Sequence, residues 1–232
     1  AIKDPVLRAK LTPDYPLGCK RILISNEYYE TLARPNVDVV TDNIAEVTPT
    51  GIRTKDGQDY PVDAIIYGTG FQATDFLAPM KITGRGGVDL NQVWRDGAEA
   101  YLGMTVSGFP NLFLLYGPNT NLGHNSIVYM LESQFSYILD AVKTLQQRDL
   151  RFVDVRSQVQ GVYNRWVQKQ IKNTIWDAGC TSWYKTASGK NTNNWPGFTL
   201  VYRYKTRHFD SQDYELAVKS AQAVSPLQVV AA

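Results

Sequence analysis

LLYGPNTNLGHNS, residues 114–126, is the stretch on which the reading of this chain turns. It continues the apolar run NLFLLYG (111–117), which reads as a buried strand. A polar turn of Gly, Pro and Asn follows, and then a helical pattern with Ile127, Leu131, Phe135, Ile138, Val142 and Leu145 spaced three and four apart. A helix start carries unsatisfied N–H groups and partial positive charge, and glycine lets a ligand approach the backbone. The turn therefore suits an anion or a polarised carbonyl, although a plain helix cap has the same pattern. Neither GxxxxGK[ST] nor GxGxxG occurs in the 232 residues, so this is not a phosphate loop. His124 and Ser126 do not make a hydrolase, because there is no GxSxG elbow and the other histidine, His208, lies in a basic stretch.

Upstream, residues 1–11 read as the end of a helix, followed by a Pro-Gly turn over 15–18. RILIS (21–25) is expected as a strand, and NEYYETLAR (26–34) as a short helix closed by Pro35. VDVV, IAEVT and GIRT are strand candidates, with Pro49-Thr50-Gly51 as a turn and Asp56-Gly57 as a hairpin signal. DAIIYGTGF (63–71) reads as a central parallel strand ending in a Gly-Thr-Gly turn, the place where open α/β sheets bind ligands. Residues 72–105 are irregular. Downstream, 157–175 is a helix candidate with Val159, Val162, Trp166 and Ile171 inward. TLVYRY (199–204) is expected as a strand and SQDYELAVKSAQ (211–222) as a last helix capped by Asp210 or Ser211.

With 24 Lys plus Arg against 22 Asp plus Glu, the net charge of +2 gives no support for a nucleic-acid partner. The short basic clusters Lys20-Arg21 and 203–207 are ordinary solvated surface on their own. Cys19 and Cys180 fit neither a CxxC pair nor a zinc site and are expected as free thiols. No Asn-x-Ser/Thr acceptor, leader or membrane-length apolar run is read, so a cytoplasmic protein is expected.

Four segments, taken in order, are far more specific than any one motif. They are PDYPLGCKRILISNEYYETLARPNVDVV (13–40), VDAIIYGTGF (62–71), GFPNLFLLYGPNTNLGHNS (108–126) and GCTSWYKTASGKN (179–191). Through them the chain resembles the C-terminal half of flavin-dependent Baeyer–Villiger monooxygenases, especially the branch acting on aryl ketones such as hydroxyacetophenone.

The resemblance implies an α/β fold that is part of a flavoprotein with two dinucleotide-binding domains. Residues 1–36 would end the NADP-binding domain. Residues 37–150 would give the return strands and last helix of the FAD-binding domain, and 151–232 a C-terminal extension with a cofactor and substrate loop. It implies FAD and NADPH as cofactors, a ketone and molecular oxygen as substrates, and a C4a-peroxyflavin that converts the ketone to an ester or lactone. Arg21 matches the catalytic arginine that stabilises the anionic peroxide, and Lys20 the lysine on the 2′-phosphate of NADPH. Gly68, Thr69 and Gly70 match an Ala-Thr-Gly turn joining the cofactor domains, with Gly68 in place of Ala. Asn121, Leu122 and Gly123 match the turn facing the flavin ring, and Trp183 a tryptophan on the nicotinamide side.

Two glycine-rich motifs and an aromatic-Gly…His…Trp fingerprint that such enzymes carry are absent. The chain is therefore expected to be a fragment lacking N-terminal cofactor domains, inactive and weak in FAD binding alone, and prone to self-association. A flavin enzyme oxygenating nitrogen or sulfur, and a non-catalytic module keeping part of the fold, are the alternatives.

Overall fold

A computed structural model describes residues 2–179, 181–219 and 229–230 of the chain. The fold is mixed α/β and divides into two compact units.

The first unit comprises Ala1–Tyr15 and Leu23–Phe71. Helix α1 (Pro5–Leu11) starts where sequence chemistry dictates: Pro5 occupies the first turn and the Asp4 carboxylate accepts from the Val6 N–H at 2.8 Å. Helix α2 (Tyr28–Leu32) is short, with the Ser25 hydroxyl accepting from the N–H groups of Glu27 and Tyr28. Strands β1 (Ile44–Thr48), β2 (Gly51–Thr54) and β3 (Asp59–Pro61) form an antiparallel meander. Gly57 supplies the positive φ that the β2–β3 turn requires. Arg53 reaches Glu46 on one neighbouring strand at 2.8 Å and Asp59 on the other at 2.7 Å.

The second unit comprises Pro16–Ile22 and Gln72–Ala232 and contains both apolar cores. The smaller core gathers Ile82, Leu90, Trp94, Val106 and Phe109 around β4 (Lys81–Ile82), which pairs antiparallel with β7 (Val229–Val230), and α3 (Leu90–Val93). The larger core is formed by α4 (Ile127–Gln147), β5 (Leu150–Val155), α5 (Ser157–Ile171), α6 (Thr199–Lys205) and β6 (Tyr214–Val218). Strands β5 and β6 pair antiparallel, and α4 packs against β5 and α6. Burying Tyr137, Val167, Trp195, Tyr202 and Tyr214 almost completely contributes about 1.5–3 kcal/mol for each large side chain. Where β5 and β6 pair, Arg85 bonds both Asp154 and Glu215 at 2.9 Å. Burial raises the Asp154 carboxyl pKa, and Arg85 opposes that rise.

Several expected elements take another form. RILIS, VDVV, DAIIY and NLFLLYG are not strands, and no parallel sheet occurs among the described residues; the single parallel pairing is an isolated bridge. A central parallel strand needs neighbours on both edges, and no described segment supplies them. TLVYRY is helix α6, not a strand. The region expected as the last helix is a short 3₁₀ turn (Ser211–Asp213) followed by β6, with 220–222 outside the described residues. β-Branched and aromatic residues favour a strand in the first case, and a capping pattern favours a helix start in the second. Tertiary packing overrides both.

The inward face of α4 is also displaced. Met130, Gln134, Tyr137 and Ala141 are buried, whereas Phe135 and Val142 of the expected stripe are exposed. On α5, Tyr163 and Val167 are buried and Val162 is exposed. Cys19 is fully buried and disulfide-bonded, which corrects its reading as a free thiol; Cys180 lies outside the described residues. Among the described residues no helix is long and apolar enough to cross a membrane.

Candidate functional site

The turn over residues 116–123 is held from two sides. Tyr116 and Asn119 both adopt positive φ, a costly conformation that the surroundings must enforce. Below them Gly117 lies so close to the 101–105 turn that an added Cβ would sit 2.3 Å from the Gly103 carbonyl oxygen. On the other side the segment 191–195 runs alongside. Asn119 N–H donates to Thr192 O (2.8 Å), Asn121 N–H to Asn193 O (2.9 Å) and Trp195 N–H to Asn121 O (2.9 Å).

Asn191 is the centre of this buried polar seam. Its Oδ1 accepts from the N–H groups of Asn193 (3.1 Å) and Asn194 (3.0 Å), and its Nδ2 donates to Asn194 Oδ1 (3.1 Å). Its carbonyl oxygen accepts from Asn119 Nδ2 (2.9 Å) and Gln168 Nε2 (2.8 Å). Buried amides satisfied this fully fix one backbone geometry, because each broken bond leaves an unpaired dipole in a dry environment. Asn119 Oδ1 and Asn194 Nδ2 lack a hydrogen-bond partner among the described residues.

Beyond Asn121 the turn emerges. Leu122 is buried, whereas Gly123, His124 and Asn125 are exposed, and Ser126 caps α4 by accepting from Tyr129 N–H. The helix proper begins at Ile127, four residues past Gly123. Among the described residues the N–H groups of Leu122 and Gly123 have no acceptor.

The cation comes from the Pro16–Ile22 segment. Gly18, at φ +90°, turns the chain, and Cys19 N–H bonds Pro16 O at 3.2 Å just ahead of Lys20 and Arg21. The Arg21 charge reaches two phenols. Burial raises the Tyr116 pKa, and the Arg21 charge opposes that rise. Tyr184 behaves in the same way. The Tyr116 hydroxyl in turn donates to Asn121 Oδ1 at 2.7 Å. The charge of the exposed Arg21 is thus felt at Tyr116 and at Tyr184, and Tyr116 is bonded to Asn121.

Trp183 adjoins the same group. It is 45% exposed, and its ring centroid lies 4.4 Å from that of Tyr184. The Tyr184 carbonyl accepts from Asn193 Nδ2 and Thr192 N–H, so the Trp183 loop hangs on the same seam that shapes the turn. Lys20 is half-buried beside the disulfide-bonded Cys19. Gly68, Thr69 and Gly70 belong to the first unit; they are exposed and in no regular element, with Gly70 at φ +82°.

Arg21, Asn121, Leu122, Gly123 and Trp183 therefore fall in one compact unit. Tyr116, Tyr184 and the Asn191–Asn194 run were not singled out from the sequence as site residues. The signal for them was the density of Asn in an otherwise aromatic loop, a composition that a solvent-facing loop does not need. The unit carries a cation, two amide protons without an acceptor among the described residues and a half-exposed indole, groups that suit a flat, electron-rich ligand. No group of His, Cys, Asp and Glu that could hold a metal occurs among the described residues.

No family model matches the chain. A Baeyer–Villiger monooxygenase of Pseudomonas aeruginosa is 50% identical over 226 residues, covering 97% of this chain and 43% of the relative. One from Streptomyces coelicolor is 46% identical over 218 residues, covering 93% and 42%. An FAD-binding monooxygenase of Aspergillus niger, ktnD, is 42% identical over 227 residues, covering 95% and 37%. Among solved structures, OTEMO in complex with FAD and NADP superposes with a TM-score of 0.82 at 30% identity, covering 93% of this chain and 42% of that one. A closed structure of cyclohexanone monooxygenase gives 0.80 at 27% identity, covering 94% and 42%. The chain spans about two fifths of the length of the relatives it matches.

Proposed function

We propose, from the chain's homology to Baeyer–Villiger monooxygenases over part of their length, that it is the portion of an FAD- and NADPH-dependent monooxygenase that sets charge against the flavin while oxygen is inserted into a ketone. The carrying observation is that the Arg21 charge is felt at Tyr116 of the 116–123 turn, which is bonded to Asn121. The free N–H groups of Leu122 and Gly123 fit an electron-rich ring edge. When bound, the flavin supplies redox chemistry, taking hydride from NADPH and passing electrons to dioxygen.

This chain's residues supply position and charge. The Arg21 guanidinium offers directed donors to an oxygen anion beside the turn. The Leu122 and Gly123 amides favour negative charge on the ring edge. Asn121 and Leu122 line the ketone side and Trp183 the nicotinamide side. Lys20 places a point charge for the 2′-phosphate that separates NADPH from NADH, and the Gly68–Gly70 turn joins the cofactor domains. Residues 1–36 then close the NADP-binding domain, 37–150 give return strands and the last helix of the FAD-binding domain, and 151–232 form the extension. Glycine-rich dinucleotide motifs, needed for most of the FAD affinity, would come from the remainder of the full-length protein. That remainder would also cover the exposed apolar segments that otherwise favour self-association.

The test is product analysis with the full-length protein, FAD, NADPH and labelled dioxygen, offered an aryl ketone, an amine and a sulfide. An ester carrying one labelled oxygen is the expected product. An N-oxide or sulfoxide in its place would move the protein to heteroatom oxygenation, and no NADPH consumption with any of them would favour a non-catalytic module. Lys20→Ala should raise KM for NADPH far more than for NADH; equal changes would detach Lys20 from the 2′-phosphate.

A further inference from the structure

A continuous series of aromatic rings leads away from the candidate site. Trp195 lies directly behind the turn: its backbone N–H donates to the Asn121 carbonyl, its indole Nε1 donates to the Phe198 carbonyl, and the ring is fully buried. From Trp195 the ring centroids step 5.7 Å to Trp166, 6.0 Å to Tyr163 and 5.4 Å to Tyr101. Tyr101, Tyr163 and Trp166 line an open cavity of about 510 Å³, so the series ends at solvent.

The two tyrosines differ in chemistry. A phenol gives up an electron readily only if its proton leaves at the same time. Tyr163 is buried and its hydroxyl has no partner among the described residues, so a radical has no stable resting place there. The Tyr101 hydroxyl donates to Asp213 Oδ2 at 2.5 Å, a proton acceptor already in position. Lys205 holds its ammonium 4.7 Å from the centre of the Trp166 ring, which disfavours positive charge remaining on that indole. Each feature directs an electron vacancy outward to Tyr101.

We propose that Trp195, Trp166, Tyr163 and Tyr101, with Asp213 as proton acceptor, form a one-electron relay that drains stray oxidising equivalents from the candidate site to the surface. Only the origin of those equivalents rests on the oxygenase assignment. The oxidant is an oxygen-centred radical: it takes one electron from Trp195 and one proton from water and becomes an alcohol or water. Trp195 recovers its electron from Trp166, and Trp166 recovers one from Tyr101 across the Tyr163 ring, as the Tyr101 proton passes to Asp213. A solvent thiol then gives an electron to the Tyr101 phenoxyl and releases its own proton, and Asp213 returns the phenolic proton. The net change is oxygen radical plus thiol to alcohol plus thiyl radical.

The test uses the 232-residue chain itself, without flavin or ketone. Azide radicals made by pulse radiolysis oxidise indoles in preference to phenols. In a Trp183→Phe background, which removes the most exposed indole, decay of the indolyl band should be matched by growth of a phenoxyl band. Tyr101→Phe and Trp166→Phe should each abolish that growth, whereas Trp94→Phe, in the other core, should leave it unchanged. Asp213→Asn keeps a hydrogen-bond acceptor but cannot take the proton, and should slow the growth roughly a hundredfold, the low end for a positioned proton acceptor. Phenoxyl yield unchanged in Tyr101→Phe, or equal loss in Trp94→Phe and Trp166→Phe, would overturn the relay. Circular dichroism of each variant separates loss of transfer from loss of fold. Failure here leaves the oxygenase assignment standing, and failure of that assignment removes only the source of the radical.

Discussion

The two units of the chain use similar sequence to very different effect. In the second unit, aromatic and aliphatic runs close on one another, and Trp195, Tyr202, Tyr137 and Tyr214 are almost completely buried. In the first unit only Gly51 and Thr54 are buried among the described residues, while Ile24 and Ile66 are each 96% exposed and Phe71 97%. Burial is a property of pairs of surfaces rather than of a residue type. DAIIYGTGF is as apolar as a core strand should be, yet without neighbouring strands it has nothing to bury against. The relatives, more than twice as long, have room for such neighbours.

The largest expected contrast is in hydrogen exchange. Amides of 63–71 should exchange roughly a thousandfold or more faster than those of the α4 interior, since local opening ranges from nearly free to the global unfolding energy. Equal protection in the two segments would erase the difference between the units. Mutational cost should follow the same division. Trp195→Ala should cost about 3–5 kcal/mol in denaturant unfolding, whereas Ile66→Ala should stay within about 0.5 kcal/mol. A comparable loss for Ile66→Ala would mean that 63–71 is packed in solution.

The polar seam sharpens the comparison within the second unit. Asn191→Ala removes side-chain bonds that hold Asn193 and Asn194, and should cost about 1–3 kcal/mol. It should also quench or shift Trp183 fluorescence, because the Tyr184 loop depends on that seam. Normal stability and an unchanged spectrum would make the seam ornamental. The smallest effect belongs to the surface of the first unit. Arg53→Ala, which breaks half-exposed pairs to Glu46 and Asp59, should leave the unfolding midpoint almost unchanged, and less altered still in high salt.

What could be read from the sequence follows from the range of the forces involved. Local signals held where Asp56-Gly57 turns the hairpin and where the pattern from Ile127 gives a helix of 21 residues, whereas residues 1–11, expected as the end of a helix, hold a short helix that begins at Pro5. Non-local outcomes did not. Thr199–Lys205 is helical because Tyr202 packs into the core and bonds Gln134 and the Leu102 carbonyl. Tyr214–Val218 is a strand because β5 lies beside it. For the candidate site, Arg21 and the 119–123 turn were nameable from motif order. Their supports Tyr116, Tyr184 and Asn191 were not, since an Asn in a loop reveals nothing of its partners until the loop is folded.

Placement of Arg21 at the turn is most directly tested by comparing wild type with Arg21→Ala in the full-length, flavin-loaded enzyme, following NADPH-driven flavin bleaching and ester yield in the same sample. Bleaching close to wild type with ester lost, and the consumed oxygen recovered as hydrogen peroxide, is the expected result. Ester formed at the wild-type rate by Arg21→Ala would show that this cation does not hold the negative charge on which the proposed function depends.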